Sequence, residues 1–177
     1  KFDIKIVTET SEIFDLITNW KPEVIALSNY VWNSTLSNRM CEIAKQHNPN
    51  ILTILGGPEF PAGTGARKIK DNEFDNSYTK TLNYLLERPS VDYFSYSDGE
   101  VTFPEIIKKF FENKFSVKDL KESGEPIDGC ANIYRNKLLV GKYVSRIGMD
   151  GSVKTQGRDI VPSPYLTGML DKFLDGT

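Results

Sequence analysis

The sequence predicts a doubly wound α/β domain, in which a parallel sheet is covered by helices on both sides. Short segments rich in β-branched and aromatic residues alternate with amphipathic helical patterns between residues 3 and 113. Connections of this length join parallel strands through right-handed βαβ units. The composition agrees, because 39% of the 177 residues are hydrophobic and 26% are charged. That is enough apolar side chain for one packed core, and it excludes disordered and collagen-like classes.

Four segments are predicted to be strands. Residues 3–7 alternate between polar and apolar side chains, as a half-buried strand does. The other three are short, mostly apolar runs, and we expect them to be buried on both faces of the sheet. They are residues 23–28, 51–55 and 91–96.

Four helices are predicted from apolar residues spaced at i, i+3, i+4 and i+7. Ser11 and Ser34 are candidate N-caps of the first two helices, and Thr102 and Pro104 mark the start of the fourth. The helical patterns cover residues 13–20, 36–47, 78–88 and 103–113.

The pattern changes after residue 115. A hairpin is predicted to turn at residues 135–137, and residues 159–165 form an extended, proline-containing segment. We therefore expect an α/β domain at residues 1–115, followed at 116–177 by a hairpin appendage and a linker.

Several classes of function are excluded by charge and by reactive residues. The net charge of −2 leaves no basic field for nucleic acid. No apolar run approaches the roughly 18 residues of a membrane span, and no secretory signal begins the chain, so a cytoplasmic location is expected. Cys41 and Cys130 lie far apart, and the single histidine, His47, ends a predicted helix. Disulfide frameworks, zinc sites and hydrolase triads are therefore not expected.

The segment after the second predicted strand is rich in hydrogen-bonding and aromatic side chains. Doubly wound sheets bind ligands outside the carboxyl ends of their strands, so this loop is a candidate site. It contains Ser28, Asn29, Tyr30, Trp32 and Asn33. Aromatic faces and polar side chains together suit a flat ligand with amide groups on its edge. The alternative is a helix N-cap cluster with a packing tryptophan.

The loop after the third predicted strand contains Gly56, Gly57, Pro58 and Glu59. Paired glycines allow a ligand to approach the backbone or allow positive φ angles. No lysine and serine or threonine follow as in a phosphate loop, and no dinucleotide fingerprint is present. The alternative is a purely structural turn.

A third candidate loop follows the fourth predicted strand and contains Gly99 and Glu100. Glu100 is placed to accept hydrogen bonds from a ligand. The alternative is that acidic residues here only complement the dipole of the following helix.

These loops resemble the cobalamin-binding domain at the N-terminus of many radical S-adenosylmethionine (SAM) enzymes. The resemblance is greatest to the anaerobic magnesium-protoporphyrin IX monomethyl ester cyclases. It extends over about residues 1–115, and residues 162–166 look like the bridge of that family into its catalytic barrel. The matching segments are residues 21–33, 52–58, 91–93 and 98–100.

The resemblance implies which residues contact the cofactor. Ser28, Gly56 and Gly57 would flank the nucleotide tail and corrin ring of cobalamin. The neighbouring residues would be Asn29, Tyr30, Trp32, Asn33, Pro58, Glu59, Gly99 and Glu100. The Asp-x-His-x-x-Gly motif of cobalamin-dependent mutases is absent, so cobalamin would bind without histidine ligation. The three-cysteine motif of the radical domain is also absent, so SAM and an iron–sulfur cluster would bind only in a further domain.

The resemblance also implies a flavodoxin-like or Rossmann-like sheet of order 2-1-3-4-5, in which the first strand is central. This chain resembles the family from its second strand onward. We therefore expect an unpaired sheet edge, with impaired stability or self-association.

The function expected from the resemblance is that of a metal-binding cobalamin module, with the radical SAM barrel as its partner in cis. The parent enzyme would be of cyclase or methyltransferase type and would modify a tetrapyrrole or a similar substrate. The chain by itself would not catalyse that reaction. The alternative is a degenerate domain that binds no cofactor and docks the catalytic domain or another partner.

Overall fold

The fold is described from a computed structural model, which describes residues 3–61 and 76–144 of the chain. The segments 62–75 and 145–177 lie outside the described residues, and so does the predicted extended segment at 159–165. The helices are α1 (Thr10–Asp15, continued by a π-helical turn at Leu16–Trp20), α2 (Ser34–His47), α3 (Asn76–Leu86), α4 (Gly99–Glu112) and α5 (Val117–Glu122). The strands are β1 (Val24–Ser28), β2 (Leu52–Gly56), β3 (Tyr93–Ser95), β4 (Cys130–Tyr134) and β5 (Lys137–Val140).

The five strands form one sheet in the order β1-β2-β3-β4-β5. Strands β1, β2 and β3 are parallel, as their helical connections require, whereas β4 and β5 pair antiparallel. The sheet is therefore mostly parallel and partly antiparallel. This arrangement confirms the predicted α/β class and its Rossmann-like or flavodoxin-like character.

Helices cover both faces of the sheet because the strand side chains alternate between them. On one face, Leu52 and Ile54 pack against Ile106 and Phe110 of α4 and Leu120 of α5. The opposite face has two clusters. One packs residues of β1 and α2 around Ile17, and the other packs β2, β3 and the hairpin beneath α3. The core thus fixes three parallel strand ends at one edge, where the candidate loops begin.

The predicted hairpin is present and extends the sheet. It turns at Arg135 and Asn136, whose φ angles are 48° and 61°, the combination that suits a tight hairpin. Strand β4 pairs with β3 through Phe94 and Ala131. The division of the chain at residue 115 stays a prediction.

Two predictions about the strands were wrong. Residues 3–9 form no strand, because no neighbouring strand hydrogen-bonds with them and an isolated strand is not stable. Strand β1 is not buried on both faces, since Ala26 and Ser28 are exposed. Ala26 pairs with Ile54, which is buried in the cluster with α4 and α5, but Val24 is the one described residue of β1 that packs against that cluster.

One edge of β1 carries no paired strand in the described part of the chain. A groove of about 90 Å³ borders this strand, lined mainly by apolar side chains that include Val24, Ile17 and Trp20, together with Val7. The unpaired edge agrees with the expected one, whereas the missing central strand and self-association through this edge stay predictions.

Helix boundaries differ modestly from the predictions. Helix α4 begins at Gly99, four residues before the predicted start, because the N–H groups of Val101 and Thr102 both donate to the main-chain oxygen of Asp98. Pro104 therefore lies inside the helix and not at its start. Among the described helices, none has both the length and the apolarity required to cross a lipid bilayer.

Candidate functional site

The loops after β1 and β2 meet at the carboxyl edge of the sheet. Ser28 lies beside Gly56, and Gly56 lies beside Ser95, because the three strands end in register. The N–H of Asn29 donates to the Gly56 oxygen at 2.7 Å, and the N–H of Glu59 donates to the Asn29 oxygen at 3.2 Å. Two of the three loops predicted from the sequence are therefore joined directly.

The β1 loop, residues 28–33, is held in shape by Asn33. Its Oδ1 accepts from the Tyr30 N–H at 2.7 Å, and its Nδ2 donates to the Ser28 oxygen at 3.2 Å. Ser37 Oγ donates to the same Ser28 oxygen at 3.0 Å. Asn33 also occupies the N-cap position of α2, but its side chain caps none of the helix N–H groups. Its side chain therefore organises the loop and not the helix start.

Two aromatic rings project from this loop. Tyr30 and Trp32 stack with ring centroids 4.7 Å apart and an interplanar angle of 11°. Trp32 is 80% exposed, and Val31 between them is 78% exposed. A packing role for Trp32 is therefore not observed. The stacked pair instead offers a flat apolar surface beside the strand ends.

The β2 loop, residues 56–60, depends on a glycine at position 57. Gly57 has φ 140°, and a Cβ there would overlap the main-chain oxygen of Asn29. Gly56 is different, since a Cβ there would make only ordinary contacts of 3.7 Å with Ser95. The close approach of the two loops thus requires Gly57 in particular. Pro58 is exposed, and Glu59 is half-buried.

The third predicted loop lies at the start of α4. Gly99 and Glu100 are both exposed in the first turn of that helix, and a Cβ at Gly99 would meet no atom within 4 Å. The preceding Ser97 accepts a hydrogen bond from the Val144 N–H at 3.1 Å. This loop is therefore tied to the chain that follows the hairpin.

Tyr84 of α3 is a site residue that the sequence patterns missed. Its hydroxyl donates to the Glu59 main-chain oxygen at 2.7 Å and accepts from Asn29 Nδ2 at 3.0 Å. A tyrosine hydroxyl is protonated at neutral pH and can donate, and burial raises the pKa of Tyr84 further. Its partners are a main-chain carbonyl and a residue 55 positions away. Neither contact can be predicted from a local sequence pattern.

Aromatic residues fill the space between the β2 loop and the hairpin. Phe60 stacks on Phe94 with centroids 4.1 Å apart and is flanked by Tyr96 and Tyr84. This packing lies beneath α3, on the face opposite α4 and α5. It supports the loop from one side and leaves Ser28, Tyr30 and Trp32 exposed.

The reactive residues of the chain lie outside this site. His47 is exposed at the last residue of α2, and Cys41 and Cys130 are buried. Burial raises the pKa of each thiol to about 12, so neither is a nucleophile at neutral pH. Residues 3–61 and 76–144 contain no group of three or more His, Cys, Asp or Glu side chains placed to hold a metal ion.

Two enzymes are similar to most of the chain. Over 166 residues, 94% of the chain, it is 30% identical to the cobalamin-dependent radical SAM methyltransferase TokK of Streptomyces tokunonensis. Over 150 residues, 85% of the chain, it is 25% identical to the 2-(S-pantetheinyl)-carbapenam-3-carboxylate methyltransferase of Streptantibioticus cattleyicolor. The chain is thus similar to one segment of each enzyme. It spans 19% and 17% of their lengths, and no protein-family model matches it.

Proposed function

We propose that this chain is the cobalamin-binding module of a radical SAM enzyme of the methyltransferase type. The observation that carries the proposal is the junction at the carboxyl edge of the sheet, where the Gly57 turn packs on Asn29 beside the exposed Ser28. The similarity to TokK, a cobalamin-dependent enzyme by name, supports it over 94% of the chain.

The residues at this edge fit a flat macrocycle with amide side chains. The Ser28 hydroxyl is exposed and makes no hydrogen bond to any described residue, so it is available to a ligand. The stacked Tyr30 and Trp32 rings present a flat apolar face, which can pack against a planar ring. Gly57 brings the main chain of the β2 loop close to that of β1 without a side chain between them.

Each residue at the edge has a defined role in the proposal. Ser28, Gly56 and Gly57 line the nucleotide tail, and Tyr30 and Trp32 pack on the corrin ring or the tail. Pro58, Glu59, Gly99 and Glu100 border the ligand, while Asn29 and Asn33 shape the loops. When bound, cobalamin supplies group-transfer chemistry at its cobalt. The three loops contain no histidine, so the protein binds the cofactor without histidine ligation.

The parent reaction in this proposal is a methyl transfer and not a tetrapyrrole cyclisation. Both similar enzymes are methyltransferases by name, and neither name includes a cyclase activity. SAM and the iron–sulfur cluster belong to a radical SAM barrel in the same polypeptide, and the enzyme acts in the cytoplasm.

The open edge of β1 is a surface through which the chain alone self-associates. Light scattering during gel filtration measures this self-association directly.

Hydroxocobalamin binding tests the proposed function. We expect the 177-residue chain to retain the cofactor on gel filtration and to change its visible spectrum. The Trp32→Ala variant should bind more weakly, because it removes one ring of the exposed stack. A matched control is Phe111→Ala, which removes an exposed aromatic ring from the last turn of α4. If the wild-type chain neither retains cobalamin nor changes its spectrum, the proposal is wrong and the cofactor-free scaffold is favoured.

A further inference from the structure

Asn29 is completely buried, although it lies between the exposed residues Ser28 and Tyr30. Its main chain bonds to Gly56 and Glu59 of the β2 loop. Its side-chain Nδ2 donates to the Glu59 oxygen at 2.7 Å and to the Tyr84 hydroxyl at 3.0 Å. A main-chain carbonyl can only accept, so the nitrogen of the amide must face Glu59. Asn29 therefore connects β1 to the β2 loop through both its main chain and its side chain.

Tyr84 completes a closed triangle with Asn29 and Glu59. Its hydroxyl donates to the Glu59 oxygen at 2.7 Å, so that single oxygen accepts from two side chains. The Tyr84 ring is itself fixed, because it packs edge-on against Phe60 and Phe94 and lies 3.7 Å from the Arg88 guanidinium carbon. Tyr84 therefore fixes the orientation of the β2 loop relative to α3, and Asn29 fixes it relative to β1.

We propose that Asn29 and Tyr84 are a pair of positioning residues that set the Gly57 turn in its ligand-binding conformation. This inference rests on the proposed function. Neither side chain has to contact the cofactor. Asn29 is buried behind the turn, and its Oδ1 is also buried without a hydrogen-bond partner among the described residues. Together they hold the Glu59 carbonyl, and therefore the preceding glycine turn, against the β1 loop.

If Asn29 and Tyr84 position the Gly57 turn, substituting Tyr84 should lower the affinity for hydroxocobalamin more than a comparable substitution outside the pair does. Tyr84→Phe removes one donor to Glu59 and keeps the ring contacts. The matched control is Tyr96→Phe, since the Tyr96 hydroxyl also donates to a main-chain carbonyl, that of Gly141 in the hairpin region. Both rings are half-buried, so both variants should lose similar thermal stability. Only Tyr84→Phe should weaken hydroxocobalamin binding, by roughly tenfold for one buried hydrogen bond.

A double-mutant cycle tests whether the two residues act as one unit. Titrations of the 177-residue chain with hydroxocobalamin would compare the wild type, Tyr84→Phe, Asn29→Leu and the double variant. We expect the double variant to bind no more weakly than Asn29→Leu alone, because either change opens the same triangle. Should Asn29→Leu fail to fold, the comparison of Tyr84→Phe with Tyr96→Phe decides by itself.

The outcomes separate this inference from the proposed function. If the wild-type chain binds no cobalamin, both are overturned. If it binds but Tyr84→Phe and Tyr96→Phe have equal affinities, only the positioning role is overturned. Additive losses in the double variant would also overturn the pairing, since they would mean that the two side chains act independently.

Discussion

The two ends of the parallel strands are built in opposite ways. At the amino end, Asp92 is 3% exposed, and its carboxylate is in contact with Lys45, Lys121 and Thr53. At the carboxyl end, the same strands finish in serine and glycine, with an exposed hydroxyl and two exposed stacked rings. Charges are paired and enclosed at the amino end, whereas the β1 loop at the carboxyl end leaves neutral groups accessible.

The two ends of this set of strands therefore differ in role, since the amino end contributes to stability and the carboxyl end offers a binding surface. Lys45 also donates to the Ile51 oxygen at 2.7 Å and to the Pro49 oxygen at 3.1 Å, so the Asp92 cluster ties α2 to β2 and β3. Every group in the cluster already has a protein partner, which leaves little for a ligand. Substitutions at the amino end should therefore change stability alone, whereas substitutions at the carboxyl end should change affinity.

The largest effect is expected at the amino end. Asp92→Asn keeps the shape of the side chain but leaves the ammonium of Lys45, whose side chain is only 16% exposed, without its counter-ion. We expect a loss of about 3 kcal/mol in the free energy of unfolding, as for other broken buried ion pairs. Urea denaturation measures it, and cobalamin affinity at low denaturant should be unchanged.

Glu122→Gln is the matched control for this substitution. It breaks an ion pair with Lys118 in which the side chains are 50% and 79% exposed. Exposed pairs contribute less than about 1 kcal/mol. Equal losses in the two variants would show that the Asp92 cluster is no more important than a surface pair.

The next effect is expected at the glycine turn. Gly57→Ala places a Cβ against the Asn29 main-chain oxygen and strains a residue at φ 140°. We expect a loss of about 2 kcal/mol in stability, together with a marked loss of cobalamin affinity. Gly124→Ala is the control, because Gly124 also has a positive φ of 65° but follows α5, outside the three loops, and a Cβ there would make only an ordinary contact of 3.6 Å with Tyr134. If Gly57→Ala binds as tightly as Gly124→Ala, the close approach of the two loops is not needed for binding.

A smaller effect is expected from alkaline pH, at the buried Cys41 thiol of α2. Burial, then the charge of Asp92, raises the pKa of Cys41 from 9.0 to about 12. Between these values the unfolded chain loses a thiol proton that the folded chain keeps, so stability falls as pH rises above 9. Between pH 9 and pH 10 this thiol should account for about 1 kcal/mol. Cys41→Ala should remove that part of the pH dependence, and identical slopes in both proteins would contradict the assignment.

The sequence predicted most of the parallel sheet because its pattern is local. Leu52, Ile54 and Leu55 form a short apolar run, and each neighbouring helix has a regular apolar stripe. The same reasoning was wrong at residues 3–7, where alternation was present but no strand lies beside them to accept hydrogen bonds. Strand pairing is a relation between distant segments, so the pattern of one segment cannot establish it.

The candidate site was predictable to a similar extent. Loop composition indicated Ser28, Gly57 and Trp32, and the register of the strands brings the first two loops together. The burial of Asn29 between two exposed residues was not predictable, because it depends on a carbonyl of another loop. Tyr84 was missed for the same reason, since its partners are defined only by the fold.

The smallest effect on stability is expected for Ser28→Ala at the carboxyl end. The side chain is exposed and its hydroxyl bonds to no described residue, so the free energy of unfolding should change by less than about 0.5 kcal/mol. Affinity for hydroxocobalamin should nevertheless fall by roughly threefold to tenfold, because a hydrogen bond to the ligand is lost. Isothermal titration and thermal unfolding of the same sample measure both quantities. A variant that binds like the wild type would show that Ser28 does not contact the ligand, and binding at this end would then depend on the aromatic rings and the glycine turn.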